Sequence, residues 1–172
     1  MEPSEVLTAI DDQRRALVHL LEDLSEKEWR QPSLCEGWTV RQVAAHLALQ
    51  NTTWAAMPRV MLGIVRHGGM NGAIHAMACR HAELPAEAII GEIRDRIGVW
   101  RPLPTATFRE TAIDYLVHGQ DIADPIGRAL DPLTGTEPTS VRRATRAYAT
   151  RARGKRPRRC YRRDLARTRR SS

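Results

Sequence analysis

A chain of 172 residues can bury one substantial core and is too short for two large domains. Its 42% hydrophobic content suits a soluble globular protein, and no apolar run approaches the roughly 20 residues needed to cross a bilayer. The net charge of +7 averages two unlike regions: residues 141–172 hold 14 Arg or Lys against one acid, Asp164, a net of +13, while the other 13 basic and 19 acidic residues leave residues 1–140 at −6.

Residues 4–24 place Val6, Ile10, Leu17, Leu20, Leu21 and Leu24 close to one helical face, with Ser4 available as N-cap, so a first amphipathic helix is expected there. SEKEWRQPSLCEGW (residues 25–38) combines a helical turn with Pro32 and Gly37 and predicts a structured connection. Thr39 opens TVRQ, a capping box in which Thr39 and Gln42 satisfy each other's backbone donors. The pattern then predicts one long second helix, with Val40, Val43, Ala44, Leu47 and Trp54 inward, ending before RHGGMNG at residues 66–72. A short helix near 72–81 and a third main helix near 85–97 follow, the latter with Pro85 in its first turn and closed by Gly98. TFRE (107–110) is a second capping box opening a fourth main helix that runs to about Ala123, where Pro125 and Gly127 stop it. Without a strand pattern, a repeat or a Gly-rich phosphate loop, these elements predict an all-α helical bundle over residues 1–130.

On the fourth helix Thr107, Thr111, Asp114, His118 and Asp121 recur at spacings of four, three, four and three, forming one polar line beside Ala112, Ile113, Leu116 and Val117. Asp114 and His118, four residues apart, are close enough to share an ion; an exposed Asp/His ion pair is the plain alternative. A third ligand would come from a facing helix, and His46, between Val43 and Leu47 on the second helix, is the best candidate. An imidazole beside a core needs a partner, because an unsatisfied buried polar group costs about 1–3 kcal/mol. Two neutral imidazoles and one carboxylate suit a borderline divalent ion such as Zn²⁺ and leave coordination positions open.

LCEGWTVRQVAAHL (34–47) resembles the "C-x-GW-[ST]-V-x-[DQ]-V-x-AHL" helix start of the mycothiol-dependent maleylpyruvate isomerase family, a branch of the DinB-like metalloenzyme superfamily. RETAIDYLVHGQDIADPIGR (109–128) resembles that family's "D-x-x-x-H-G-x-D-I" helix, in the same order and at a similar separation. The likeness extends over roughly residues 4–130. It implies an antiparallel four-helix bundle holding a divalent ion, expected to be zinc, through His46, Asp114 and His118. Asp121, one turn beyond His118, is expected to support the ligands or end the helix rather than bind the ion. By the same resemblance, the ion activates the thiol of mycothiol, which attacks a small electrophilic co-substrate. Some members have Glu where this chain has Asp114.

Other features have plainer readings. His75, Cys79 and His81 of HAMACRH form a conceivable second cluster, with His75 and Cys79 four residues apart, and Cys35 reads as a small buried residue under its loop, a reactive thiol being the alternative. Trp38 and Trp54 are expected to pack on the bundle, Trp29 and Trp100 to line its ends, and His19 to lie on a helix flank. Cys35, Cys79 and Cys160 form no CxxC pair, and the N-terminus lacks the apolar centre of a secretory signal, so reduced thiols and a cytoplasmic monomer or homodimer are expected. Residues 131–172 read as a linker and an Arg-rich tail, disordered or partly helical near 139–150. The tail does not resemble the small α/β region that usually follows the bundle in the family. A shifted reading frame in GC-rich DNA would produce it; alternatively it tethers nucleic acid through phosphate contacts, with the bundle as a non-catalytic scaffold.

Overall fold

The computed structural model describes residues 3–51, 57–99 and 108–130, and these residues are all-α. The Arg-rich tail, Trp54, Trp100, Thr107 and Cys160 lie outside them. Among the described residues seven α-helices follow in order: α1 (Pro3–Glu22), α2 (Glu26–Trp29), α3 (Val40–Ala48), α4 (Met57–Arg66), α5 (Met70–His81), α6 (Ala86–Arg94) and α7 (Phe108–Ala123). No helix among the described residues is long and apolar enough to cross a membrane.

Helix α1 buries Val6, Ile10, Leu17, Leu20 and Leu21, the stripe its periodicity predicts. Val40, Val43, Ala44 and Leu47 of α3, Ile89 and Ile93 of α6, and Tyr115 and Ile122 of α7 complete the same core. Each Leu or Ile side chain withdrawn from water in this way contributes roughly 1.5–3 kcal/mol. Helices α1 and α3 each pack against both α6 and α7, while α4 packs on α5 and α5 on α3. Trp29 is core rather than an end residue, at 2% exposure, whereas His19 stands on the flank of α1 as expected.

Two arginines lock the turns to the helices. Arg14, buried on α1, donates to the Arg96 carbonyl at 2.7 Å and lies over the Tyr115 ring at 5.1 Å. Arg41 on α3 donates to the carbonyls of Ala82 and Leu84, at 2.7 and 2.6 Å, and covers Trp29. Arg41 uses two donors at once on the turn that follows α5, whereas Arg14 reaches the turn after α6 through Nη1, which also contacts Asp11.

The expected long second helix is interrupted. Helix α3 ends at Ala48 and tightens into a 3₁₀ turn at Leu49–Asn51; residues 52–56 lie outside the described residues, and α4 is described from Met57. The expected capping box at Thr39 forms, a further one not read from the sequence forms at Ser25, and that of TFRE falls on Thr107, outside the described residues; Pro85 is the residue just before α6 rather than inside its first turn. On α7 the apolar face is rotated from the expected one. Ile113 is 47% exposed, while Thr111, Tyr115, Leu116 and Ile122 are buried, so Thr111 turns into the core, whereas Asp114, His118 and Asp121 stand half-buried at its border. Gly119 lets Leu130 pack on α7: a Cβ there would lie 2.5 Å from the Leu130 Cδ2 atom.

Candidate metal centre

The Thr39 capping box sets where α3 begins and hence where its second turn presents His46. The His46 ring meets the Trp38 ring edge-on, with centroids 5.7 Å apart, and meets the His118 ring at 5.1 Å and 87°. Burial lowers the His46 pKa from 6.5 to about 4, and the charge of His118 lowers it in the same direction. Its imidazole is therefore neutral at pH 7, with a lone pair on one ring nitrogen.

His118 reaches this position from α7, one turn after Asp114 and one turn before Asp121. Its Nδ1 lies 3.0 Å from Oδ2 of Asp121 and 3.5 Å from Sγ of Cys35. An Nδ1–H donated to that carboxylate leaves the Nε2 lone pair free, the arrangement in which an outer carboxylate orients a ligating imidazole. Cys35 donates its thiol proton to the same Oδ2 at 3.0 Å. Burial, followed by the negative charge of Asp121, pushes the Cys35 thiol well above its ordinary range, so it is an S–H donor and not a free nucleophile.

Asp114 accepts a 3.0 Å hydrogen bond from Nε2 of Gln50. Burial raises its pKa, the charge of His118 opposes that shift, and Glu110 reinforces it. The other amide atom of Gln50, Oε1, is buried without a hydrogen-bond partner. An orphaned acceptor on the amide that holds the Asp114 carboxyl fits a site that takes up a further polar or charged group.

Of the residues expected to share an ion, His46 and His118 are brought together from different helices. Asp114 lies in the same polar seam, close enough for the charge of His118 to act on it, but its carboxylate is engaged by Gln50. The group whose ligand atoms all lie within 4.8 Å of one another, among the described residues, is Cys35, His118 and Asp121. The periodicity of α7 did not point to Cys35 or Gln50. Gln50, four residues after His46, had a helical-spacing signal; Cys35 had only its place at the head of the GWTV segment. The conceivable HAMACRH cluster divides: His75 lies 3.6 Å from the Cys79 sulfur, whereas His81 pairs with Glu92 at 2.6 Å.

Residues 10–96, half of the chain, match the family described as the mycothiol maleylpyruvate isomerase N-terminal domain. The chain belongs to that family. Within the matched span this family member carries Cys35, His46 and Gln50, while Asp114, His118 and Asp121 come from α7 beyond it. No curated protein and no solved structure matches the chain.

Proposed function

We propose that this member of the maleylpyruvate isomerase family binds a divalent ion, zinc or one like it, through His46, Asp114 and His118, and uses it in mycothiol-dependent chemistry on a small electrophile. The approach of the His46 and His118 rings, perpendicular at 5.1 Å, carries this reading. His46 is already neutral, and Asp121 holds the His118 tautomer whose Nε2 is free. Release of Asp114 from Gln50 would complete the donor set, leaving the Gln50 amide to orient a co-substrate. The helices α1, α3, α6 and α7, each touching two of the others, would form the antiparallel four-helix bundle around it.

A divalent ion in such a site favours the anionic form of a thiol brought beside it, making that thiol a nucleophile at neutral pH. Around it, His46 and His118 supply neutral donors, Asp114 supplies charge, and Trp38 walls one side of His46 against water. Addition of the thiolate to a cis double bond, rotation about the resulting single bond and expulsion of the same thiolate constitute an isomerase. Displacement of a leaving group with retention of the new C–S bond constitutes a transferase. Chemistry of this kind, which draws on a reduced low-molecular-weight thiol, would run in the cytoplasm.

The test is elemental analysis of the purified protein. About one equivalent of ion is expected in the wild type, and His118→Ala should lose it while far-ultraviolet circular dichroism remains unchanged. A variant that keeps its metal contradicts the assignment.

A further inference from the structure

Cys35 belongs to the loop before α3, and His118 and Asp121 to the last turns of α7. We propose that Cys35 Sγ, His118 Nδ1 and Asp121 Oδ2 form a second cation site, selective for a thiophilic divalent ion such as Zn²⁺, that excludes the His46 centre because both draw on His118. The inference rests on the reading above only for that exclusion; the second site stands on its own geometry.

The triangle of ligand atoms has edges of 3.5 Å (Sγ to Nδ1), 3.0 Å (Sγ to Oδ2) and 3.0 Å (Nδ1 to Oδ2). A tetrahedral zinc with ordinary bond lengths to S, N and O requires edges of about 3.3–3.6 Å. Opening two edges by a few tenths of an ångström therefore converts a hydrogen-bonded triangle into one face of a coordination sphere. The backbone already holds Cys35 in place. Leu34 N–H donates to the Asp121 carbonyl at 3.1 Å, Cys35 N–H donates to the Ser33 hydroxyl, and Trp38 N–H closes the turn on the Cys35 carbonyl. The side chains of His118 and Asp121 keep 23% and 16% exposure, which gives an ion a path in.

Binding replaces protons with the cation and involves no redox step. The thiol proton leaves Sγ and the imidazole proton leaves Nδ1; the ring then carries its proton on Nε2. A ring protonated on Nε2 cannot ligate a second ion from that side, and serving both sites would require an imidazolate. At neutral pH, occupancy of the Cys35 site therefore removes His118 from the centre that includes His46. An ion more thiophilic than the one held at the His46 centre would therefore displace it by claiming the shared His118.

Co²⁺ reports on this directly, because it matches Zn²⁺ in size and its ligation by a thiolate produces a near-ultraviolet charge-transfer band that nitrogen and oxygen ligands do not. The metal-stripped full-length protein is titrated with Co²⁺, with helicity checked by circular dichroism. The sulfur band should appear in the wild type, vanish in Cys35→Ser, and persist in His46→Ala and Cys79→Ser. Absence of the band from the wild type, or its survival in Cys35→Ser, overturns the proposal. Loss of the band in His46→Ala does so too, by showing a single mixed site. If instead the His46 centre is the reading that fails, the band persists in His46→Ala and the metal content of the wild type depends on Cys35 alone.

Discussion

At pH 7 the His46 imidazole carries no charge because burial, aided by His118, brings its pKa down from 6.5 to about 4. Between those two values the unfolded chain binds a proton that the folded, metal-free protein refuses. The stability His46 contributes is therefore complete above pH 6.5 and is lost as pH falls toward 4, by about 3 kcal/mol at the limit. Asp114 works in the opposite sense, since its raised pKa favours the folded state in acid. Urea denaturation of metal-free protein from pH 7 to 4.5 isolates the His46 part by comparison with His46→Gln. The wild type should lose stability more steeply than the variant, and equal slopes would show that the imidazole is not held neutral.

At the scale of elements, the start of α3 is the joint on which the site depends. Thr39 caps α3 through Gln42, while Ser33, Cys35 and Trp38 fold the preceding loop back toward α7. Thr39→Ala leaves the Gln42 amide without its side-chain acceptor and should cost about 1 kcal/mol of stability in urea. Because the same cap sets the position of His46, metal affinity should fall as well. A variant with unchanged affinity would mean that packing of Val40 and Val43 alone holds the helix in place. The Thr39 capping box was legible as a four-residue motif, since the interaction is local, whereas the Ser25 box, of the same form, was not read. The end of α3 at Ala48 was not read, because the apolar spacing runs on past it without a stop signal.

For the whole molecule, charge divides the chain into an acidic body and the basic residues 141–172. Phosphate contacts release counterions, so any retention of nucleic acid by this protein should weaken steeply with salt. Deleting residues 141–172 should abolish such retention and leave metal content unchanged. Binding that survives the deletion would assign it to the acidic body instead.

The all-α class, the stripe of α1, the capped start of α3 and the family were legible in the amino-acid sequence, because each rests on periodicity or short-range motifs. The polar line on α7 was legible too, and with it His118 and Asp121. Its direction was not: helical spacing says which residues share a face, but only packing against α1 and α3 turned Thr111 inward and Ile113 outward. Tertiary structure also decided the partners. Cys35 meets Asp121 across 86 residues and Gln50 meets Asp114 across 64, and no local pattern encodes contacts made only when the helices close around a common core.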